Sequence, residues 1–161
     1  MNIQIDLPDE QATINLGALL ARLLSGHGTV FLDGDLGSGK TTLARGLLRA
    51  MGHIGAVKSP TFTLVEPYEI GDYKIYHFDL YRLEDPEELE YIGFDDFFEG
   101  EPLCLIEWPE KGVGYLPESD LVIELSRQGA GRSACIKSMT VRGEFLVAEL
   151  IKANAKVDFQ T

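Results

Sequence analysis

Basic residues are scarce in this sequence. Its 161 residues carry 14 Lys and Arg against 26 Asp and Glu, a formal net charge of −12. A surface that acidic repels phosphate backbones except at a local patch, so strong direct binding of nucleic acid by this chain alone is disfavoured. Cysteine is nearly absent: Cys104 and Cys135 lie far apart with no C-x-x-C spacing. That favours two buried thiols in a reducing cytosol over a disulfide or a metal pair. No segment approaches the roughly 20 apolar residues that span a bilayer. The start, Met1-Asn2-Ile3-Gln4-Ile5-Asp6, has neither the basic beginning nor the apolar core of a secretory leader. A cytoplasmic protein with no membrane partner is the expectation. Histidine is limited to His27, His53 and His77, which have no metal-ligand spacing, and none is assigned a ligand role.

What is present suits one compact domain over residues 1–161: 45% apolar and 25% charged residues, with no repeat or low-complexity tract. Ile3, Ile5 and Leu7 alternate with polar residues as a short strand does. Leu16, Leu19, Leu20, Leu23 and Leu24 recur at helical spacing and stop at Gly26. Thr29 to Leu32 reads as a buried strand. Leu43, Leu47, Leu48 and Met51 form a second helical stripe ended by Gly52. Phe62 to Ile70 and Tyr73 to Leu80, joined by Gly71-Asp72, predict a β-hairpin. Pro86-Glu87-Glu88 resembles a helix start. Leu103 to Ile106, Leu121 to Leu125 and Ser133 to Met139 read as strands, the last two flanking the turn Gly129-Ala130-Gly131. Glu144 to Asn154 reads as a closing helix. Strands mixed with helices and hairpins predict a three-layer α/β fold with a mixed parallel and antiparallel sheet.

One segment carries explicit chemistry. Gly34-Asp35-Leu36-Gly37-Ser38-Gly39-Lys40-Thr41 matches G-x-x-x-x-G-K-[ST] in full, between a strand and a helix as a phosphate-binding P-loop requires. Gly34, Gly37 and Gly39 permit positive φ, so successive N–H groups can turn inward and, with the helix N-terminus, form an anion site. Lys40 is the point charge for the β and γ phosphates, and the Thr41 hydroxyl is the expected magnesium ligand. Guanine-specific relatives of this loop carry N-K-x-D. The sequence offers only Ala155-Lys156-Val157-Asp158, so ATP is favoured over GTP.

Hydrolysis further needs a carboxylate near the metal and something to position water. Glu107, at the end of the apolar run Leu103 to Ile106, stands where such an acid belongs, or is a solvent-facing strand terminus. Asp79, in His77-Phe78-Asp79-Leu80-Tyr81-Arg82, either orients water or magnesium or pairs with Arg82. Ser59-Pro60-Thr61-Phe62-Thr63 is either a switch-like segment reaching the γ phosphate or a plain polar loop. Trp108 is either an exposed aromatic for a partner or base, or an ordinary core residue. The acidic run Glu84 to Glu90 reads as a solvated helix face.

Four blocks in this order carry a family resemblance: Gly34 to Thr42, Ser59 to Val65, His77 to Leu83, and Ile106-Glu107-Trp108-Pro109-Glu110, with Gly131-Arg132 a weaker fifth. From about Gly17 to Ile136 the chain resembles the TsaE (formerly YjeE) family, the bacterial ATPases of threonylcarbamoyladenosine tRNA modification. The resemblance implies a P-loop NTPase-like fold, slow magnesium-dependent ATP hydrolysis, and action on the TsaB–TsaD pair that modifies adenosine 37 of tRNA. The tRNA itself would be met only indirectly. Lys40, Thr41 and Thr42 would hold phosphate and metal with the rest of the loop, Glu107 would be the metal-linked acid, Asp79 a second catalytic acid, and Thr61 part of a switch-like loop. A small-molecule kinase with Asp79 as base, and a nucleotide-gated adaptor with negligible hydrolysis, are the competing readings.

Overall fold

A computed structural model describes the backbone of residues 1–159 and the side chains of residues 1–154. The elements run β1 (Asn2–Leu7), α1 (Glu10–Leu24), β2 (Gly28–Asp33), α2 (Lys40–Met51), β3 (Val65–Ile70), β4 (Tyr73–Asp79), α3 (Glu88–Tyr91), β5 (Leu103–Glu107), β6 (Leu121–Gln128), β7 (Gly131–Ser138) and α4 (Val141–Phe159). Short 3₁₀ turns sit at Phe94–Phe98 and Pro109–Gly112. The seven strands form one sheet in the order β1-β7-β6-β2-β5-β4-β3. Strands β4, β5, β2 and β6 are mutually parallel, while β3, β7 and β1 each run antiparallel to a neighbour. The sheet is mixed, as predicted.

Side-chain alternation decides which layer each face meets. The inward set Val30, Leu32, Leu105, Ile123 and Ile136 packs against the leucine stripes of α1 and α2 and against Leu146, Val147 and Leu150 of α4. On the opposite face Phe78, Cys104 and Ile106 pack under Leu83, Leu89 and Phe94, with the Phe94 and Phe97 rings set edge-on to Phe78 at centroid distances of 4.9 and 5.4 Å. Fully burying such a ring contributes about 1.5–3 kcal/mol. The second layer covers the β4–β5–β2 half. On the β6–β7–β1 half the same face carries Gln4, Glu124, Cys135 and Lys137, none of them buried, cross-linked by Gln4 to Ser133 and Lys137 to Glu124.

Several boundaries differ from the sequence reading. The first hairpin strand begins at Val65 rather than Phe62, because Leu64 takes a left-handed φ of 70° and donates back to the Pro60 carbonyl. Pro86 and Glu87 precede a helix of one turn only, after which Gly93 (φ 70°) starts the 3₁₀ turn. Helix α1 ends on a left-handed Ser25, one residue before Gly26. Helix α4 starts at Val141, where the Thr140 hydroxyl accepts from the Gly143 N–H. Cys135 is half-buried rather than buried. Ala155-Lys156-Val157-Asp158 falls where side chains lie outside the described residues.

Strand β2 pairs with β5 on one side and β6 on the other. The chain leaves β2 at Asp33 and re-enters as α2, so the phosphate-loop segment sits beyond the carboxyl ends of the parallel strands, where open α/β sheets bind ligands.

Candidate functional site

The two helices of the inner layer begin differently. Asp9 caps α1 by accepting from the Ala12 N–H at 2.8 Å. Helix α2 begins after Gly39 with no side-chain cap and no acid in its first turn. Its leading N–H groups therefore stay available to an anion. Gly34, Gly37 and Gly39 hold φ of 146°, 79° and 108°, the region that glycine alone enters without strain. Asp33 braces the entrance by accepting from the Gly34 N–H at 2.9 Å.

Lys40 is buried at the first position of α2. Its ammonium donates to the Gly34 carbonyl and lies 4.1 Å above the Trp108 ring, a cation–π contact. Trp108 is half-buried and has φ of 56°, a conformation that costs roughly 1–3 kcal/mol for a non-glycine residue. Its ring also meets Tyr81 at 5.1 Å.

Glu107 ends β5 and Asp79 ends β4, directly opposite each other in register. Both are buried. Glu107 meets His77 Nε2 at 2.6 Å through its Oε2. Asp79 accepts from Thr61 Oγ1 at 3.0 Å and Ser59 Oγ at 3.4 Å on Oδ2, and from the Tyr81 N–H at 2.9 Å on Oδ1. Arg82, the alternative partner for Asp79, stacks over Phe62 at 4.1 Å instead. Among the described residues the buried side chains of Lys, Arg, Asp and Glu are Lys40, Asp79 and Glu107. All three line one cleft of about 220 Å³, together with Gly37, Gly39, Thr41, Thr42, Ser59, Thr61, Trp108 and Arg132. No ion pair joins Lys40 to either acid among the described residues. Buried charges of opposite sign are normally paired with one another, so a cation and two acids brought around one cleft with no ion pair between them point to a polar ligand.

The predicted site residues thus converge, with distinctions. Gly37, Gly39, Lys40, Thr41, Thr42, Thr61, Asp79, Glu107 and Leu36 border this cleft. Gly34, Asp35 and Ser38 face the other side of the loop, towards β6. The donor set of Thr41 hydroxyl and Glu107 carboxylate is all oxygen, which fits a hard cation such as magnesium completed by phosphate and water. His77 is the residue missed by the sequence reading. Strand alternation puts His77 and Asp79 on one face of β4, but only the register with β5 brings His77 against Glu107. Arg132 enters the sequence reading only within the weaker fifth block of the family resemblance, with no role assigned; its guanidinium reaches the loop and donates to the Gly37 carbonyl at 3.0 Å.

A family model described as threonylcarbamoyl adenosine biosynthesis protein TsaE matches residues 7–134. The tRNA threonylcarbamoyladenosine biosynthesis protein TsaE of Haemophilus influenzae is 47% identical over 147 residues, spanning 88% of this chain and 93% of that protein. The protein of the same name from Bacillus subtilis is 40% identical over 120 residues, spanning 74% and 75%. The crystal structure of YdiB from Bacillus subtilis superimposes with a TM-score of 0.81 at 28% identity, over 96% of this chain and 97% of that one.

Proposed function

This chain belongs to the TsaE family of tRNA threonylcarbamoyladenosine biosynthesis proteins, and from that premise we propose that it is a slow magnesium-dependent ATPase acting on the TsaB–TsaD complex. The observation that carries the reading is the convergence of buried, mutually unpaired Lys40, Asp79 and Glu107 on the cleft beside an uncapped helix N-terminus. Within it, the first N–H groups of α2 and the Lys40 ammonium bind and orient the phosphates. The Thr41 hydroxyl and the Glu107 carboxylate hold magnesium. Magnesium, when bound, supplies charge neutralisation of the β and γ oxygens.

Glu107 is held by His77, so its carboxylate has a fixed direction when the nucleotide arrives. Asp79 couples the cleft to residues 59–63 through the Thr61 and Ser59 hydroxyls; a nucleotide that recruits Thr61 loosens that tie, and the segment behaves as a switch. The acidic chain leaves the tRNA to its partner proteins.

The experiment is phosphate release from ATP by the purified chain with magnesium, with and without TsaB–TsaD, and recovery of that pair in an ATP-dependent pull-down. Slow release alone and ATP-dependent capture are expected. No release under any condition, or capture of the pair that ignores nucleotide, contradicts the proposal.

A further inference from the structure

We infer that Arg132 is a second in-chain grip on the nucleotide phosphates, supported by Arg127 across the β6–β7 hairpin. The inference rests on the nucleotide site proposed above. Arg127 and Arg132 are direct partners in the antiparallel register of β6 and β7. Like charges directly opposite each other destabilise a strand pair. In a chain with 26 acidic side chains, neither arginine has a carboxylate partner among the described residues.

Both guanidinium groups meet the phosphate loop at its tip. Arg132 donates from Nη2 to the Gly37 carbonyl at 3.0 Å and from Nη1 to the Gly131 carbonyl at 2.9 Å, while its buried Nε has no acceptor. Arg127 comes so close that a Cβ on Gly37 would lie 2.7 Å from its Nη2. Backbone carbonyls satisfy N–H groups without supplying a formal charge, and the acids Asp33, Asp35 and Glu124, which line a cleft together with Arg127, form no ion pair with it. A phosphate at the tip supplies a charged acceptor for the N–H groups of Nη1 and Nη2 that the two carbonyls leave free. The planar guanidinium fork matches two phosphate oxygens at once, which a lysine cannot do. Arg132 borders the cleft that also holds Lys40, Thr41 and Glu107, so it needs no domain movement to reach the ligand.

The test is titration of the purified chain with ATP and with ADP at several salt concentrations, in wild type, Arg132→Ala, Arg132→Lys and Arg127→Ala, alongside thermal unfolding without nucleotide. Arg132→Ala is expected to weaken ATP at least about tenfold and to flatten the salt dependence of binding, because one phosphate-facing charge is gone. Arg132→Lys loses a few-fold, and Arg127→Ala less than Arg132→Ala. Should the alanine variant fail to fold, Arg132→Lys carries the test, and wild-type affinity in it overturns the inference. Wild-type affinity in Arg132→Ala also overturns it, as does a weakened affinity with an unchanged salt slope, which marks Arg132 as a prop for the loop. Wild-type protein that binds no ATP refutes the nucleotide site itself, a result distinct from unaltered binding by the variants.

Discussion

His77 Nε2 lies 2.6 Å from Glu107 Oε2, with the two side chains 0% and 3% exposed. The imidazole Nδ1 is buried without a partner. With the proton on Nε2 donated to Glu107, only a lone pair is left unmatched, which costs less than a buried orphan N–H. Removing the donor strands a buried carboxylate. His77→Ala is therefore expected to lower unfolding stability by about 1–3 kcal/mol, read from urea denaturation, and to reduce ATP turnover more than ATP affinity. His77→Gln, whose amide can donate, restores part of both. An unchanged urea midpoint in His77→Ala means that the pair contributes nothing.

The sequence contains one tryptophan, and Lys40 stands over its ring. Phosphates that attract the Lys40 ammonium remove a cation from the indole face. Nucleotide is therefore expected to shift the intrinsic emission of Trp108, and Lys40→Ala to shift the emission of the free protein while abolishing the response to ATP. Emission indifferent to both changes contradicts this contact.

Legibility in the sequence followed locality. The phosphate loop, its flanking strand and helix, and the strand ending in Glu107 were readable because each depends on neighbours within a few residues. The mixed sheet was readable from the hairpins. The short helix after Pro86 was overread: its carboxylates suit a first turn, but Gly93 redirects the chain within a few residues. The start of β3 was misplaced because Leu64 takes a positive φ that nothing in Phe62-Thr63-Leu64 announces. His77 escaped notice since its partner is 30 positions away and the strand register is a tertiary property. The half-covered sheet was equally hidden, because polar Gln4 and Glu124 look the same under a helix layer as without one until the layers are placed.

The α1–α2 contact gives a stability prediction of unusual sign. A Cβ on Gly17 would lie 2.5 Å from the Leu43 carbonyl oxygen, and one on Gly46 would lie 2.5 Å from that of Ile14. These are backbone atoms and cannot rotate aside. Gly→Ala within a helix ordinarily stabilises by about 1 kcal/mol. Here overpacking at about 1–3 kcal/mol wins. Gly17→Ala and Gly46→Ala are each expected to lower the melting temperature; a rise in either shows that the helices separate freely.

Thiol chemistry separates the two cysteines. Burial pushes the Cys104 thiol up from the ordinary thiol range to about 12, so in the folded chain it stays protonated and inert at pH 8. Cys135 is half-buried. Alkylation at pH 8 is expected to modify Cys135 alone in the native protein and both residues in denaturant, as read by mass. The linkage sign follows: above pH 9 the unfolded Cys104 ionises while the folded one does not, so this contribution to stability is complete below pH 9 and declines towards pH 12. Rapid native labelling of Cys104 contradicts its place under the Phe78 cluster.

The central claim is that Glu107 serves turnover while the loop and Lys40 serve binding. Steady-state phosphate release by Glu107→Gln at saturating ATP and magnesium tests it most directly, with ATP affinity measured on the same sample. The account predicts a fall of about a hundredfold or more in release, the size of effect seen when one charge-stabilising group is removed from an active site, with affinity within about threefold of wild type, a cost below roughly 0.7 kcal/mol. Release at the wild-type rate would contradict it.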